Sequence, residues 1–139
     1  RLCDRIVRGL DRPVVLTGSD AEAVARIRSH MTAHCVSLAG RTTLRDLACV
    51  FQEAALLVTT DSGPMHLAAA VRTPVVALFG PTDPGRTGPY GDGHVVLRRE
   101  MACSPCFAKT CETKRCMREI TVEEVYEAVR GKLTEHGGG

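Results

Sequence analysis

A short polar stretch from Thr59 to His66 separates two apolar segments and carries residues suited to binding an anion. The apolar residues before it predict a short buried strand, and the alanine-rich residues after it predict a helix. A helix that begins directly after a buried strand presents free backbone N–H groups and the positive end of its dipole. Pro64 suits such a start, and Gly63 lets a ligand approach the backbone closely. The stretch therefore predicts an anion site, most simply for a phosphate.

Two polar side chains at this helix start support the phosphate interpretation, and each also has a structural alternative. Ser62 can donate to a ligand oxygen, and His66 lies one turn into the helix, where it can add a hydrogen bond or a charge. In the alternative, Ser62 caps the helix, Gly63 makes the turn, and His66 is a partly buried histidine with satisfied hydrogen bonds. The residue pattern leaves both interpretations open.

Four cysteines within fourteen residues form a second unusual group, which we call the cysteine cluster: Cys103, Cys106, Cys111 and Cys116. Four thiols this close together can close a tetrahedral structural zinc site. Their spacing differs from that of two C-x-x-C knuckles, so reduced thiols lining a loop are the alternative. Apart from this zinc, we expect no cofactor to be required.

Strand and helix patterns alternate along the chain. Short apolar runs predict five strands, at 14–17, 36–39, 56–60, 75–80 and 94–99. Helical periodicity predicts helices from Ser19 to about Met31, from Thr43 to about Phe51, from Pro64 to about Val71, and after Thr121. Continuous apolar strands separated by helices imply an α/β fold, a Rossmann-like parallel sheet with helices on both faces. Ligands of such sheets bind beyond the carboxyl ends of the strands, where the polar stretch lies.

Pairs of residues three positions apart mark the predicted helix starts. Thr121 and Glu124 form a capping box before the last helix, and Thr43 and Asp46 are placed as a start signal in the middle of the chain. Ser19 and Glu22 match the same pattern.

Composition limits the classes of function that fit. The chain has 139 residues, of which 44% are hydrophobic and 24% charged, as expected for one globular domain with a core. A net charge of +2 without a block of like charges argues against nucleic-acid binding. No apolar run approaches the ~20 residues of a membrane span. Seven cysteines without a secretion signal favour a cytoplasmic protein over a disulfide scaffold.

The limits of the chain also lead to expectations. Arg1 falls within an amphipathic helical pattern, which suggests a fragment. We expect one domain over residues 1–136 and a flexible tail at 137–139.

The residues "DSGPMHLAAAVRTPVVALFGPTDPGRTGPYG", at 61–91, closely resemble the C-terminal half of the bacterial heptosyltransferases, glycosyltransferase family 9. "VVLTGSDAE", "LAGRTTLRDLACVFQEAALLVTT" and the "CSPC" region also fall in family order. The resemblance implies an enzyme of lipopolysaccharide inner-core synthesis with two Rossmann-like domains of GT-B type. The C-terminal domain of such an enzyme holds an ADP-heptose donor, so the resemblance implies that residues 1–136 form a nucleotide-sugar-binding domain. Its N-terminal domain holds the acceptor and the proposed catalytic base, so the catalytic residues of this chain are unknown.

The resemblance also implies roles for individual residues. Asp61, Ser62 and Gly63 would lie against the diphosphate and sugar of the donor, and His66 beside the phosphates. Since a carboxylate cannot stabilise the charge of a leaving diphosphate, Asp61 is expected to accept sugar hydroxyls or to hold the loop by accepting backbone N–H bonds.

Two further positions are implied for the nucleoside. Glu22 matches a family position that accepts hydrogen bonds from the ribose, although a capping box with Ser19 also explains it. Thr42 falls where the family contacts the adenine, often with a methionine. Threonine is shorter and more polar, so it departs from the family pattern there.

The expected partners follow from the resemblance: ADP-heptose or a related nucleotide sugar, and a lipid A–Kdo-type acceptor bound through the N-terminal domain. The full-length enzyme is expected in the cytoplasm, with peripheral contact at the cytoplasmic face of the inner membrane, and the fragment alone is expected to be inactive. Alternatives are a stand-alone nucleotide-sugar-binding module, another GT-B-type enzyme such as a nucleotide-sugar epimerase, and a zinc-organised interaction domain.

Overall fold

The computed structural model describes residues 1–136, so the tail predicted at 137–139 lies outside the described residues. The chain divides into two compact units, the first covering Arg1–Leu47 and the second beginning at Ala48. The expectation of a single nucleotide-sugar-binding domain over 1–136 stays a prediction. No helix within the described residues is long and apolar enough to span a bilayer.

The first unit contains two helices, two short strands and the start of a third helix: α1 (Leu2–Leu10), β1 (Val15–Leu16), α2 (Ala21–Ser29), β2 (Val36–Ser37) and α3 (Leu44–Glu53). Strands β1 and β2 pair in parallel, with Val15 opposite Val36. The Asp4 carboxylate accepts the backbone N–H groups of Ala33 and Thr32, each at 2.7 Å. These bonds fasten α1 to the segment that follows α2, and they lower the pKa of Asp4 from its ordinary 3.8 to about 2.

The second unit holds a three-stranded parallel sheet: β3 (Leu57–Thr60), α4 (Gly63–Ala70), β4 (Val75–Phe79), α5 (Pro84–Thr87), β5 (Val95–Arg98), α6 (Arg115–Arg118) and α7 (Val122–His136). The strand order is β3-β4-β5. The central strand β4 forms the core, and four of its five side chains are fully buried. Helices α4, α6 and α7 contact β4. Because all pairings are parallel, the carboxyl ends of the three strands share one edge.

The predicted capping signals at α3 and α7 are confirmed. The Thr121 N–H and hydroxyl both donate to Glu124 at 2.8 Å, and the Glu124 N–H donates to the Thr121 hydroxyl at 3.2 Å. Thr43 and Asp46 make the same reciprocal bonds at α3. Arg99 also pairs with Glu124, and its hydrogen bonds are the main cause that lowers the pKa of Glu124 from 4.5 to about 2.

The predicted α/β class and its five parallel strands are confirmed, with the strands divided between a two-stranded and a three-stranded sheet where the sequence predicted one. Two one-turn helices, α5 and α6, were not predicted, because four residues are too few for a periodic apolar pattern. The helix predicted from Ser19 begins instead at Ala21.

Candidate functional site

Helix α4 begins three residues after β3 ends, at the carboxyl edge of the three-stranded sheet. Met65 and Ala68 are fully buried and fix one face of the helix against the core. Pro64 occupies the first turn, where its missing N–H is not needed. A Cβ atom built on Gly63 would have no atom within 4 Å in the described structure, apart from the neighbouring residues and the backbone of α4 itself, so the space beside this residue is open. The core therefore fixes the direction of α4 while its N-terminus faces open space.

The side chain of Ser62 does not cap α4. Ser62 has the extended backbone of an N-cap residue, yet no side-chain bond reaches the helix N–H groups. Its hydroxyl donates to the Thr60 carbonyl oxygen at 3.0 Å and lies 3.2 Å from the Thr59 hydroxyl. The alternative in which Ser62 caps the helix is wrong, and the first turn of α4 is left for another acceptor.

His66 lies on the outer side of α4, between the two buried positions Met65 and Ala68. Its side chain is exposed and has no hydrogen-bond partner within residues 1–136. The alternative of a partly buried, satisfied histidine is therefore wrong. Both imidazole nitrogens are available to a ligand.

Asp61 is half-buried and accepts a hydrogen bond from the Thr87 hydroxyl, with 2.8 Å between Oγ1 and Oδ2. Thr87 is the last residue of α5, so the loop after β3 and the loop after β4 are joined by this bond. No backbone N–H of the described residues donates to Asp61. The suggestion that Asp61 braces its loop through backbone bonds is therefore wrong for this structure.

Helix α5 is fixed at its start by Asp83, whose carboxylate accepts the Gly85 N–H at 2.9 Å. The Arg98 guanidinium, at the end of β5, lies 3.9 Å from the same carboxylate. Thr82, next to Asp83, has a buried hydroxyl oxygen without a partner among the described residues. The carboxyl ends of β3, β4 and β5 thus all contribute polar groups to this part of the second unit.

The structure places the nucleoside candidates in the first unit. Glu22 is exposed in the first turn of α2, whose cap is Asp20, which accepts the Ala23 N–H at 2.9 Å. The predicted Ser19–Glu22 capping box is therefore wrong, because Asp20 takes the capping role. This removes the structural alternative for Glu22, which has no partner in the described residues.

Thr42 is half-buried between β2 and α3. The loops that lead to Glu22 and to Thr42 are joined, since the Gly40 N–H donates to the Gly18 carbonyl at 2.8 Å. Ribose contact by Glu22 and adenine contact by Thr42 stay predictions.

The cysteine cluster lies between β5 and α7. All four thiols are free, three of them exposed and Cys116 half-buried. Within residues 1–136, no group of three or more histidine, cysteine or acidic side chains is placed to hold a metal ion. Hydrogen bonds from Thr113 and the Lys114 N–H lower the pKa of the Cys111 thiol. A structural zinc at the cluster stays a prediction.

The first half of the cysteine cluster instead packs on the loop after β4. The Ser104 hydroxyl donates to the Gly80 carbonyl at 2.8 Å. The N–H groups of Cys106 and Phe107 both donate to the Pro81 carbonyl, at 2.9 and 2.8 Å. Arg86 lies over the Phe107 ring, 5.3 Å from its centroid. This segment therefore helps to hold the loop that carries α5.

Sequence reasoning missed three residues of this region: Thr87, Asp83 and Arg98. The Asp-Pro pair at 83–84 is a local helix-start signal that identifies Asp83 as a cap. No local pattern pairs Thr87 with Asp61, which lies 26 residues earlier.

The second unit is a parallel α/β fold in which the uncapped start of α4 and the Asp61 carboxylate lie at the same strand edge, where such folds commonly bind ligands. The arrangement provides N–H donors for a phosphate and an acceptor for hydroxyl groups. Comparison with known proteins gives the family. The chain belongs to glycosyltransferase family 9 (heptosyltransferase), whose family model matches residues 8–117.

Three relatives illustrate the similarity. The chain is 42% identical over 134 residues to lipopolysaccharide heptosyltransferase 2 of Salmonella typhimurium, covering 89% of this chain and 38% of that protein. A glycosyltransferase family 9 structure from Veillonella parvula superposes with a TM-score of 0.85 at 30% identity, over 96% of this chain and 40% of that one. The ADP-heptose LPS heptosyltransferase II of E. coli gives a TM-score of 0.80 at 28% identity, over 99% and 43%. The chain thus spans less than half the length of each relative.

Proposed function

We propose that this chain forms the donor-binding part of a glycosyltransferase that moves a heptose from ADP-heptose to the lipopolysaccharide inner core. The observation that carries the proposal is the start of α4, which has no side-chain cap and opens onto free space beside Asp61. The family and the E. coli ADP-heptose heptosyltransferase support ADP-heptose as the ligand.

The diphosphate of the donor lies at the first turn of α4. Backbone N–H groups there and the dipole of the eight-residue helix favour negative charge. The exposed His66 side chain supplies a further donor one turn along. Asp61 faces the sugar, since a carboxylate accepts hydroxyl groups and would repel the phosphates.

In the transfer, the bond between the anomeric carbon of heptose and the diphosphate oxygen breaks, and its electron pair leaves with ADP. The N–H groups of α4 stabilise the negative charge that develops on this leaving group, because they are already aimed at it. The acceptor hydroxyl forms the new bond to the anomeric carbon and loses its proton to a base. We place that base, together with the site for a lipid A–Kdo-type acceptor, in an N-terminal domain of the whole enzyme at the inner membrane.

Binding of ADP and AMP to the wild type and to His66→Ala tests the proposal. A charge-assisted hydrogen bond is worth about 1.5–3 kcal/mol, and each 1.4 kcal/mol is tenfold in affinity. His66→Ala should therefore weaken ADP binding by roughly ten- to hundredfold. The affinity for AMP should fall much less, because AMP lacks the terminal phosphate. His34→Ala, which removes another exposed histidine, is the matched control and should change neither affinity.

Isothermal titration calorimetry gives the dissociation constants of ADP and AMP for each protein, and thermal melting shows whether each variant is folded. Equal losses for ADP and AMP, or no loss for either, would assign the histidine a role other than phosphate binding. Wild-type protein that binds neither ADP nor ADP-heptose would overturn the proposed function itself.

A further inference from the structure

The Thr87 hydroxyl makes two contacts, and only one can take its single proton. Its oxygen lies 2.8 Å from Asp61 Oδ2 and 3.3 Å from the Asp83 carbonyl oxygen. The shorter contact is to the carboxylate, and a hydrogen bond to an ionised acceptor is also the stronger kind. Thr87 therefore donates to Asp61.

Thr87 is itself held in place by α5. Its N–H donates to the Asp83 carbonyl at 3.1 Å, and the next N–H, of Gly88, donates to Pro84 at 2.8 Å. Asp83 is in turn bonded to the Gly85 N–H and lies beside Arg98 at the end of β5. A one-turn helix fixed at both ends gives the Thr87 hydroxyl a defined position.

Asp61 depends on this single contact. Within residues 1–136, Thr87 is the one hydrogen-bond donor to its carboxylate, and Oδ1 has no partner. A carboxylate with one oxygen held presents the other in a defined direction. A carboxylate that is ordered before the ligand arrives lowers the entropic cost of binding.

We propose that Thr87 is a positioning residue that holds Oδ2 of Asp61 through its hydroxyl, so that Oδ1 is directed to accept a hydroxyl of the donor sugar. The proposal rests on the proposed function, since it assigns the sugar half of the same ligand. It predicts that loss of this hydroxyl affects the affinities for two ligands differently. Removing the Thr87 hydroxyl disturbs binding of the sugar nucleotide and leaves binding of the nucleotide alone intact.

The test titrates ADP and ADP-heptose into the 139-residue chain by calorimetry. Thr87→Val keeps the shape and removes the hydroxyl, and it should weaken ADP-heptose by roughly tenfold, equivalent to 1.4 kcal/mol. ADP affinity should change by less than about twofold, well under that tenfold step. Thr87→Ser retains the hydroxyl and should restore ADP-heptose binding. If Thr87→Val does not fold, Thr87→Ala carries the same comparison with Thr87→Ser.

A double-mutant cycle separates positioning from packing. In an Asp61→Ala background no side-chain oxygen is left to accept the Thr87 hydroxyl proton, so Thr87→Val should cause no further loss of ADP-heptose affinity. Additive losses from the two changes would overturn the proposal, as would equal losses for ADP and ADP-heptose or no loss at all. Wild type that binds neither ligand would remove the proposed function and this inference together. Wild type that binds both, with Thr87→Val unaffected, would remove the inference alone.

Discussion

Replacing Gly63 with alanine tests whether a ligand approaches the start of α4, because the change adds one methyl group in open space. Apart from the neighbouring residues and the backbone of α4 itself, the added Cβ would have no atom within 4 Å in the described structure. The folded chain should accept it without rearrangement. A Gly→Ala change at a compatible backbone position usually stabilises by about 0.4–1 kcal/mol, since it restricts the unfolded chain.

Under the proposed function, the same methyl group would occupy the space through which the diphosphate reaches the backbone N–H groups of α4. We expect Gly63→Ala to weaken ADP by roughly tenfold, or 1.4 kcal/mol. The expected signature is thus a loss of affinity together with equal or higher thermal stability. Damage to the fold would not produce this combination.

Gly80→Ala provides the matched contrast. A Cβ there would lie 2.7 Å from Sδ and 2.8 Å from Cγ of Met117, and 3.3 Å from Sγ of Cys116. Overpacking of this kind costs about 1–3 kcal/mol, and the flexible methionine side chain favours the lower end. Gly80→Ala should therefore lower the melting temperature by several degrees, at about 4 °C per kcal/mol.

Differential scanning calorimetry and ADP titration of both variants give the comparison. Unchanged ADP affinity in Gly63→Ala would refute the reasoning, because the ligand would then not approach this backbone. A lower melting temperature for Gly63→Ala would refute it too, since the space would then not be open.

The remaining predictions concern pH and the cysteine cluster. The pKa of Glu124 is near 2 in the folded chain, against an ordinary 4.5, so its contribution to stability is present above pH 4.5 and lost as the pH falls towards 2. Glu124→Gln should lower the melting temperature at pH 7 and flatten its decline between pH 4.5 and 2; an unchanged slope would contradict the role of the Arg99 pair. If the cysteine cluster holds zinc, purified protein should contain about one metal ion per chain, and chelation should lower its melting temperature. Metal-free protein with four titratable thiols in the cluster would leave the reduced-thiol alternative.

The sequence alone determined the features that depend on neighbouring residues. Apolar runs and helical periodicity identified all five strands and the longer helices, because these patterns repeat within one turn or one pleat. The caps at Thr43 and Thr121 were predicted for the same reason, since a capping box joins residues three positions apart. At α2 the same capping-box pattern favoured Ser19 as the N-cap, but the adjacent Asp20 is the N-cap in the structure.

Only the tertiary structure decided what each polar side chain at the candidate site contacts. The bond from Thr87 to Asp61 joins residues 26 positions apart, and the contact of Phe107 with Pro81 joins residues equally far apart. Such pairs meet because parallel strands bring their following loops to one edge of the sheet, and no local pattern encodes that meeting. The exposure of His66 was undecided for a related reason. Which side of a short alanine-rich helix is buried depends on the strand against which it packs.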